Sequence, residues 1–234
     1  MEQRLADSLV QVCQSCWMPV LECTDLVASY GKTVAVNRVS LSVDAGEILA
    51  VRGSSGSGKS TLLHCLAGIL TPASGCVSFS GASLSDLSDR DRSTLRRRRM
   101  GFIFQFGELI PDLTLMENVA LPLQLLGTAR REAMAQSQHE LAALDLHSVC
   151  QHYPSEVSGG QAQRAAVARS MIHRPEVVFA DEPTGALDQR NSAVVLGALK
   201  SLAEERGSTI VMVTHDSGVA ALADRVVEMV DGRL

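Results

Sequence analysis

Gly53-Ser-Ser-Gly-Ser-Gly58-Lys59-Ser60 is the stretch in which residue type and spacing dictate a chemistry most directly. It fits the pattern G-x-x-x-x-G-K-[ST] and lies between an apolar run, Ile48 to Val51, and a helix-like stretch, Lys59 to Ala67. The small residues Ser54, Ser55, Gly56 and Ser57 let backbone amides curl around a phosphate, whose charge the helix dipole favours. In this reading Lys59 spans the β- and γ-phosphates, the Ser60 hydroxyl ligates Mg²⁺, and the nucleotide site runs from Gly53 to Thr61. The plainer alternative, a flexible Gly/Ser loop, leaves the agreement of strand, loop and helix unexplained.

A phosphate loop needs an acid to hold its metal. Val177-Val-Phe-Ala180-Asp181-Glu182 ends an apolar strand on two carboxylates, at the strand edge where open α/β sheets bind ligands. Asp181 would orient Mg²⁺ through water, and Glu182 would act as the general base on the attacking water. Alone, such an Asp-Glu pair reads as a solvated turn; the phosphate loop reverses that preference.

The elements that must position these groups follow from hydrophobic period. Val20 to Val27 and Val34 to Val43 alternate as half-buried antiparallel strands around the turn Tyr30-Gly31-Lys32, and Cys76 to Phe79 is a further strand. Helices are expected over 86–99, 116–125, 130–144, 160–172, 189–205 and 217–223, with strands over 101–104, 177–180, 209–213 and 225–230. Continuous Val/Ile runs between amphipathic helices indicate a parallel sheet covered on both faces. The fold expected is therefore α/β: a P-loop NTPase core with a mixed parallel sheet, an N-terminal antiparallel β subdomain, and a helical insertion over about 84–160. Residues 1–18 form an N-terminal extension, read either as a short amphipathic helix bearing Leu5, Leu9, Val12, Cys13, Cys16 and Trp17, or as non-native sequence ahead of Met18; the catalytic domain then spans 19–234.

Composition excludes several classes. The 234 residues are 46% hydrophobic and 20% charged, which rules out a disordered or low-complexity chain. Twenty-one basic against 26 acidic residues leave a net charge of −5, unlike a general nucleic-acid binder. Arg96 to Arg99 complement a helix C-terminus and read as a solvated face. Apolar runs fall short of a membrane span, and Glu2, Arg4 and Asp7 stand where a signal peptide needs a basic start and an apolar run. Cys13-x-x-Cys16, even with Cys23, lacks the second pair that a zinc site needs.

Ser158-Gly159-Gly160-Gln161, followed by Gln163-Arg164, resembles the signature motif of ATP-binding-cassette (ABC) ATPases. The chain is similar to that family also at Tyr30, Gln105, Asp181-Glu182-Pro183-Thr184-Gly185, Ala186-Leu187-Asp188 and His215, in the family's order across 20–234; Val157 replaces the usual leucine before the signature serine. The resemblance implies adenine stacking on Tyr30, which otherwise reads as a turn residue, and a γ-phosphate contact for His215, which alone reads as structural. It implies that Gln105 links Mg²⁺ and the attacking water to a transmembrane partner. It also implies a head-to-tail dimer in which Ser158 to Gln161, a second helix N-terminus, closes over the ATP of another copy.

Around Phe104-Gln105-Phe106, Leu109-Ile-Pro111 and Leu115-x-Glu117-Asn118-Val119 through Pro122 to Gly127, the chain is similar to the MacB-like branch. That resemblance implies a separate permease with four transmembrane helices and a large extracytoplasmic domain, reached from the cytoplasmic face of the membrane. The branch serves lipoprotein release, macrolide and peptide export, haem efflux, bacitracin-type resistance and cell-division signalling; of these an exporter of haem or antimicrobial, hydrophobic compounds is the leading expectation, the cargo itself binding the other chain. The alternative within the branch is a cell-division-type ATPase that transmits force without cargo. A soluble cassette protein of translation or DNA repair would carry two cassettes or a long coiled coil, which this sequence lacks. Phe106, Leu109, Ile110 and Leu113 read either as a surface for the permease or as core.

Overall fold

The computed structural model describes residues 19–105, 108–185 and 187–234. The expectations for residues 1–18, with Cys13 and Cys16, and for Phe106 and Ala186 lie outside them. The strands are β1 (Leu21–Tyr30), β2 (Thr33–Val43), β3 (Ile48–Arg52), β4 (Ser74–Phe79), β5 (Ala82–Ser83), β6 (Met100–Ile103), β7 (Val177–Asp181), β8 (Thr209–Thr214) and β9 (Arg225–Glu228). The helices, numbered here in chain order, are α1 (Lys59–Leu66), α2 (Asp89–Arg99), α3 (Leu115–Leu125), α4 (Arg130–Ala143), α5 (Gly159–Met171), α6 (Gln189–Arg206) and α7 (Ser217–Ala220).

Two sheets form, with orders β2-β1-β4-β5 and β6-β7-β8-β3-β9. Every pairing in the first is antiparallel and every pairing in the second parallel, so the mixture of directions is segregated between sheets. Alternation explains why the parallel sheet is buried on both sides. Leu49, Val51, Val177, Phe179, Val211 and Val213 enter one core cluster with α1 and the antiparallel strands, while Ile48, Ala50, Val178, Ala180, Ile210 and Met212 enter another with α5 and α6. Burial of apolar area at about 25 cal/mol per Å² on two faces makes this sheet the rigid frame of the molecule.

A third cluster joins α3, α4 and residues 146–150 to Ala165, Ala168 and Ile172 of the α5 segment. Helix α5 thus packs on the sheet through Val167 and Met171, and on the helical layer through its alanines, which let the backbones approach closely. The span 84–160 contains β6, the edge strand of the parallel sheet, so its helical layer begins only at Leu115. Helix α3 starts on a capping box of Thr114 and Glu117. Helix α7 is shorter than expected, ending at Ala220.

The arginines at the end of α2 divide in role. Arg97 and Arg98 are exposed as expected. Arg96 instead donates to the Gly68 carbonyl at 2.6 Å, and Arg99 lies 4.6 Å above the Phe79 ring while pairing with Glu176, so these two tie α2 to the core. Cys23, Cys65 and Cys150 are buried thiols and Cys76 is exposed; burial pushes Cys23 up to about 12 and Cys65 to about 11, which makes both inert at neutral pH.

Candidate active site

Because the large sheet is parallel, the C-terminal ends of its strands share one edge, and the groups singled out by sequence arrive there in spatial order. Gln105 follows β6, Asp181 and Glu182 close β7, His215 follows β8, and the glycine loop follows β3. Together with Tyr30, Ala35, Phe104 and Glu108 they line an open cavity of about 880 Å³, to which the glycine loop and the start of α1 contribute Ser54, Ser55, Gly56, Gly58, Lys59, Ser60 and Thr61. Gly53 and Ser57 are off that lining, and Ser57 is buried.

The loop is shaped by close approach. Gly58 has φ 103°, and a Cβ there would stand 2.0 Å from the Ala35 carbonyl oxygen; at Gly53 it would stand 2.3 Å from that of Met229. Lys59 Nζ donates to the Gly53 and Ser54 carbonyls, both at 2.9 Å, bracing the loop from within. Neither α1 nor α4 has a side-chain cap, whereas Ser88, Thr114, Ser158, Asp188 and Asp216 cap α2, α3, α5, α6 and α7; of the two, α1 is the one that opens onto the cavity. The first-turn amides of α1 are therefore left for an anion. Ser60 Oγ donates to Asp181 Oδ1 at 3.1 Å, which puts two hard oxygen donors side by side, as Mg²⁺ requires.

Glu182 is held on every side. His215 N donates to its Oε1 at 3.1 Å, His215 Nδ1 meets the same oxygen at 2.8 Å, and Thr214 Oγ1 donates to Oε2 at 3.2 Å. Its backbone has φ 46°, and its amide donates to the Val213 carbonyl at 3.0 Å, so the residue turns sharply off β7 into the space beside β8. Thr214 carries no sequence signal of its own; its position at the end of β8, one residue before His215, would have been the only clue. Gln105 packs on Gly185, where an added Cβ would lie 2.9 Å from its Nε2. Among the described residues no hydrogen bond joins Gln105 to Ser60 or Asp181.

Tyr30 is 55% exposed on the rim, which leaves its ring face free to stack. Ser158, Gly159, Gly160 and Gln161 do not line the cavity. They form the start of α5, where Ser158 accepts from the Gln161 amide at 3.3 Å and Gln161 Oε1 accepts from the Ser158 amide at 2.9 Å. Gly160 lies against Asn191, which the carboxylate of Asp188 holds through Asn191 N and Nδ2. Those bonds to Asn191 draw the Asp188 carboxyl below the usual carboxylate range. The signature segment and the start of α6 are thus one packed unit, separate from this chain's own phosphate loop.

A glycine loop feeding a helix without a side-chain cap, with two carboxylates at the end of β7 and a histidine after β8 on the same sheet edge, is the arrangement of a P-loop nucleotide-binding cassette. The family model described as ABC transporter matches residues 36–185, and the chain belongs to that family: it is an ATP-binding ATPase cassette. Among solved structures it is similar to the dimeric post-hydrolysis state of the ATP-binding cassette MJ0796 bound to ADP and Pi, with 35% identity, a TM-score of 0.85, and coverage of 92% of this chain and 96% of that one. It is likewise similar to dimeric MJ0796 described as a bacterial ABC transporter cassette, at 36% identity, the same TM-score and the same coverage.

Proposed function

We propose that this chain is the ATP-hydrolysing subunit of a MacB-type membrane exporter, working as a homodimer that encloses two MgATP and drives a separate permease from the cytoplasmic face. In this reading Lys59, the loop amides and Thr61 bind the phosphates and Tyr30 stacks the adenine. Ser60, Asp181 and Gln105 would hold Mg²⁺, which neutralises phosphate charge and orients the γ-phosphate. The cavity supplies the need for it: Asp181, Glu182 and Glu108 line it with Lys59, more negative charge than a polyphosphate would meet without a divalent cation. Glu182 takes the proton of the attacking water, held by Thr214 and His215, and His215 reads the γ-phosphate.

A second copy completes each active site in this reading: Ser158 to Gln161 lie off the chain's own cavity, and because the Ser158 cap takes only the Gln161 amide, the Gly159 and Gly160 amides at the start of α5 can meet an approaching phosphate. A head-to-tail dimer lets each copy complete the other's site. We take 19–234 as the cassette and the helical layer within 84–160 as the part facing the permease.

The observation that carries the coupling is continuity between two surfaces. An open groove of about 490 Å³, lined by Phe102, Phe104, Leu121, Pro122 and Leu125 and rimmed by Arg96, Arg97 and Arg169, shares Phe104 and Glu108 with the nucleotide cavity. Leu125 is 55% exposed there, whereas Leu109 packs inward on the helical cluster and Ile110 is exposed. A permease segment of four-helix type seated in the groove touches Phe104, the residue before Gln105. Among the described residues no helix is long and apolar enough to cross a membrane.

The test is the ATPase rate of Leu125→Asp, free and in complex with the membrane protein of the adjacent reading frame. We expect an unchanged free rate, loss of permease-stimulated hydrolysis, and loss of efflux of haem or hydrophobic antimicrobials. Full stimulation in the variant overturns the groove; stimulation of the wild type without any cargo efflux selects the force-transmitting alternative. Dimerisation is tested by sizing with ATP, where Ser158→Arg should leave a monomer that still binds nucleotide.

A further inference from the structure

Gln163, in the second turn of α5, is 3% exposed, and its side-chain amide donates to two backbone carbonyls, that of Phe104 at 3.1 Å and that of Pro183 at 2.7 Å. Phe104 immediately precedes Gln105, and Pro183 immediately follows Glu182. The ladder between β6 and β7 has its last pair at Ile103 and Ala180, so regular pairing ends before either segment. Pro183 has no N–H with which to continue it. The planar NH₂ of a carboxamide carries two donors at a fixed angle, so binding one carbonyl with each sets the separation of the two loops. The helix that supplies this clamp is the one whose first residues are Ser158 to Gln161.

We propose that Gln163 is a positioning residue: by clamping Phe104 and Pro183 it holds Gln105 and Glu182 in register and ties that register to the signature helix. This rests on the roles given above to Gln105 and Glu182. When a second copy's nucleotide engages Ser158, displacement of α5 is passed through one side chain to both loops of its own active site. Without the clamp, nucleotide still binds to the loop after β3, but the groups that orient and deprotonate water no longer share one geometry.

The test is steady-state ATPase of Gln163→Met, which keeps volume and removes both donors, with nucleotide affinity measured in parallel by a fluorescent ATP analogue. We expect kcat to fall about ten- to hundredfold, the cost of ångström-scale misplacement, with KM and affinity nearly unchanged. A purely structural role predicts instead that the loss is the same in every background. If Gln163 acts partly through Gln105, its loss in a Gln105→Ala background should be smaller than in the wild type by about threefold or more, the size of coupling within one network. Equal losses in both backgrounds, or a rise in KM at constant kcat, overturn the inference alone; no loss in Gln105→Ala itself removes the underlying assignment and the inference with it. Gln163→Glu gives a second measurement. Facing two carbonyls, a buried glutamate donates only when protonated, so its kcat relative to wild type should climb as pH falls, and a ratio flat with pH overturns the clamp.

Discussion

His215 Nδ1 lies 2.8 Å from Glu182 Oε1, and the His215 backbone amide donates to the same oxygen at 3.1 Å, so one residue grips the Glu182 carboxylate twice. A carboxylate only accepts, which puts the hydrogen of this contact on Nδ1 and leaves Nε2 as the ring's other polar atom. Glu182 and His215 therefore behave as one unit, with Glu182 aimed before any nucleotide enters.

If Glu182 is the base of that unit, Glu182→Gln should keep the bonds from Thr214 and the His215 amide but lose proton acceptance. ATP hydrolysis is expected to fall by about 10² to 10⁴ while nucleotide binding persists. Sizing should show the variant held as a dimer by ATP and as a monomer without it; a variant that still turns over ATP at the wild-type rate would falsify the base assignment.

Thr214 is the third grip. Its hydroxyl donates to Glu182 Oε2 at 3.2 Å and accepts from the Asp216 amide at 3.0 Å. Thr214→Val, equal in shape, should lower kcat by roughly ten- to hundredfold through loss of aim, with affinity for ATP retained. Paired kcat and binding measurements check this, and an effect confined to affinity would contradict it.

Lys59 Nζ donates two hydrogen bonds to the carbonyls of Gly53 and Ser54 and lines the cavity beside the glycine loop. In Lys59→Ala we expect ATP affinity to weaken by about ten- to hundredfold, the value of one charge-assisted hydrogen bond, and turnover to fall with it. Calorimetric titration with ATP and with ADP reads the difference directly.

Asn118 is fully buried in α3 and organises the segment before it: its Oδ1 accepts from the Ile110 amide at 2.7 Å, and its Nδ2 donates to the carbonyls of Ile110, Leu113 and Thr114. Asn118→Leu fills the same space and orphans those groups. We expect a loss of about 1–3 kcal/mol, seen as a Tm several degrees lower, with nucleotide affinity of the free subunit preserved. An unchanged Tm would mean the loop is fixed by other contacts.

His173 offers a pH dependence. Its Nε2 meets the Met100 carbonyl oxygen at 3.0 Å, Nδ1 is buried without a partner, and burial, aided by the nearby Arg206 charge, pulls the pKa below the ordinary 6.5. The folded value is depressed, so as pH falls through 6.5 the unfolded chain takes up the proton first and stability drops; above 6.5 the ring is neutral in both states and has no effect. His173→Gln should make the decline below pH 6.5 shallower by up to about 1.4 kcal/mol per pH unit. Denaturant melts of both proteins between pH 7.5 and 5, on the order of half-unit steps, test the sign.

The sequence by itself determined most of what depends on local order, missing the short strand β5 and overrunning α7 and β9. A strand, a glycine loop and a lysine-led helix are contiguous, so the loop from Gly53 to Thr61 could be read directly as one local unit, though not that Gly53 and Ser57 would stand off the cavity, and hydrophobic period located the strands that end at Asp181 and Thr214. The signature segment was equally plain, since Ser158 and Gln161 cap each other within one turn. Tertiary structure alone decided what distant segments do to one another. Ser60 meets Asp181 across 121 positions, Gln163 clamps two loops 59 and 20 residues away, and Arg96 and Arg99 leave the solvated face for the Gly68 carbonyl and the Phe79 ring. It also turned Leu109 inward and kept Ser158 to Gln161 off the chain's own cavity. The physical reason is common to all of these. Periodicity reports which face of an element is apolar, but a buried polar side chain is satisfied by whichever backbone carbonyl the packing brings within about 3 Å, and that partner is set by the crossing of elements rather than by any spacing along the chain.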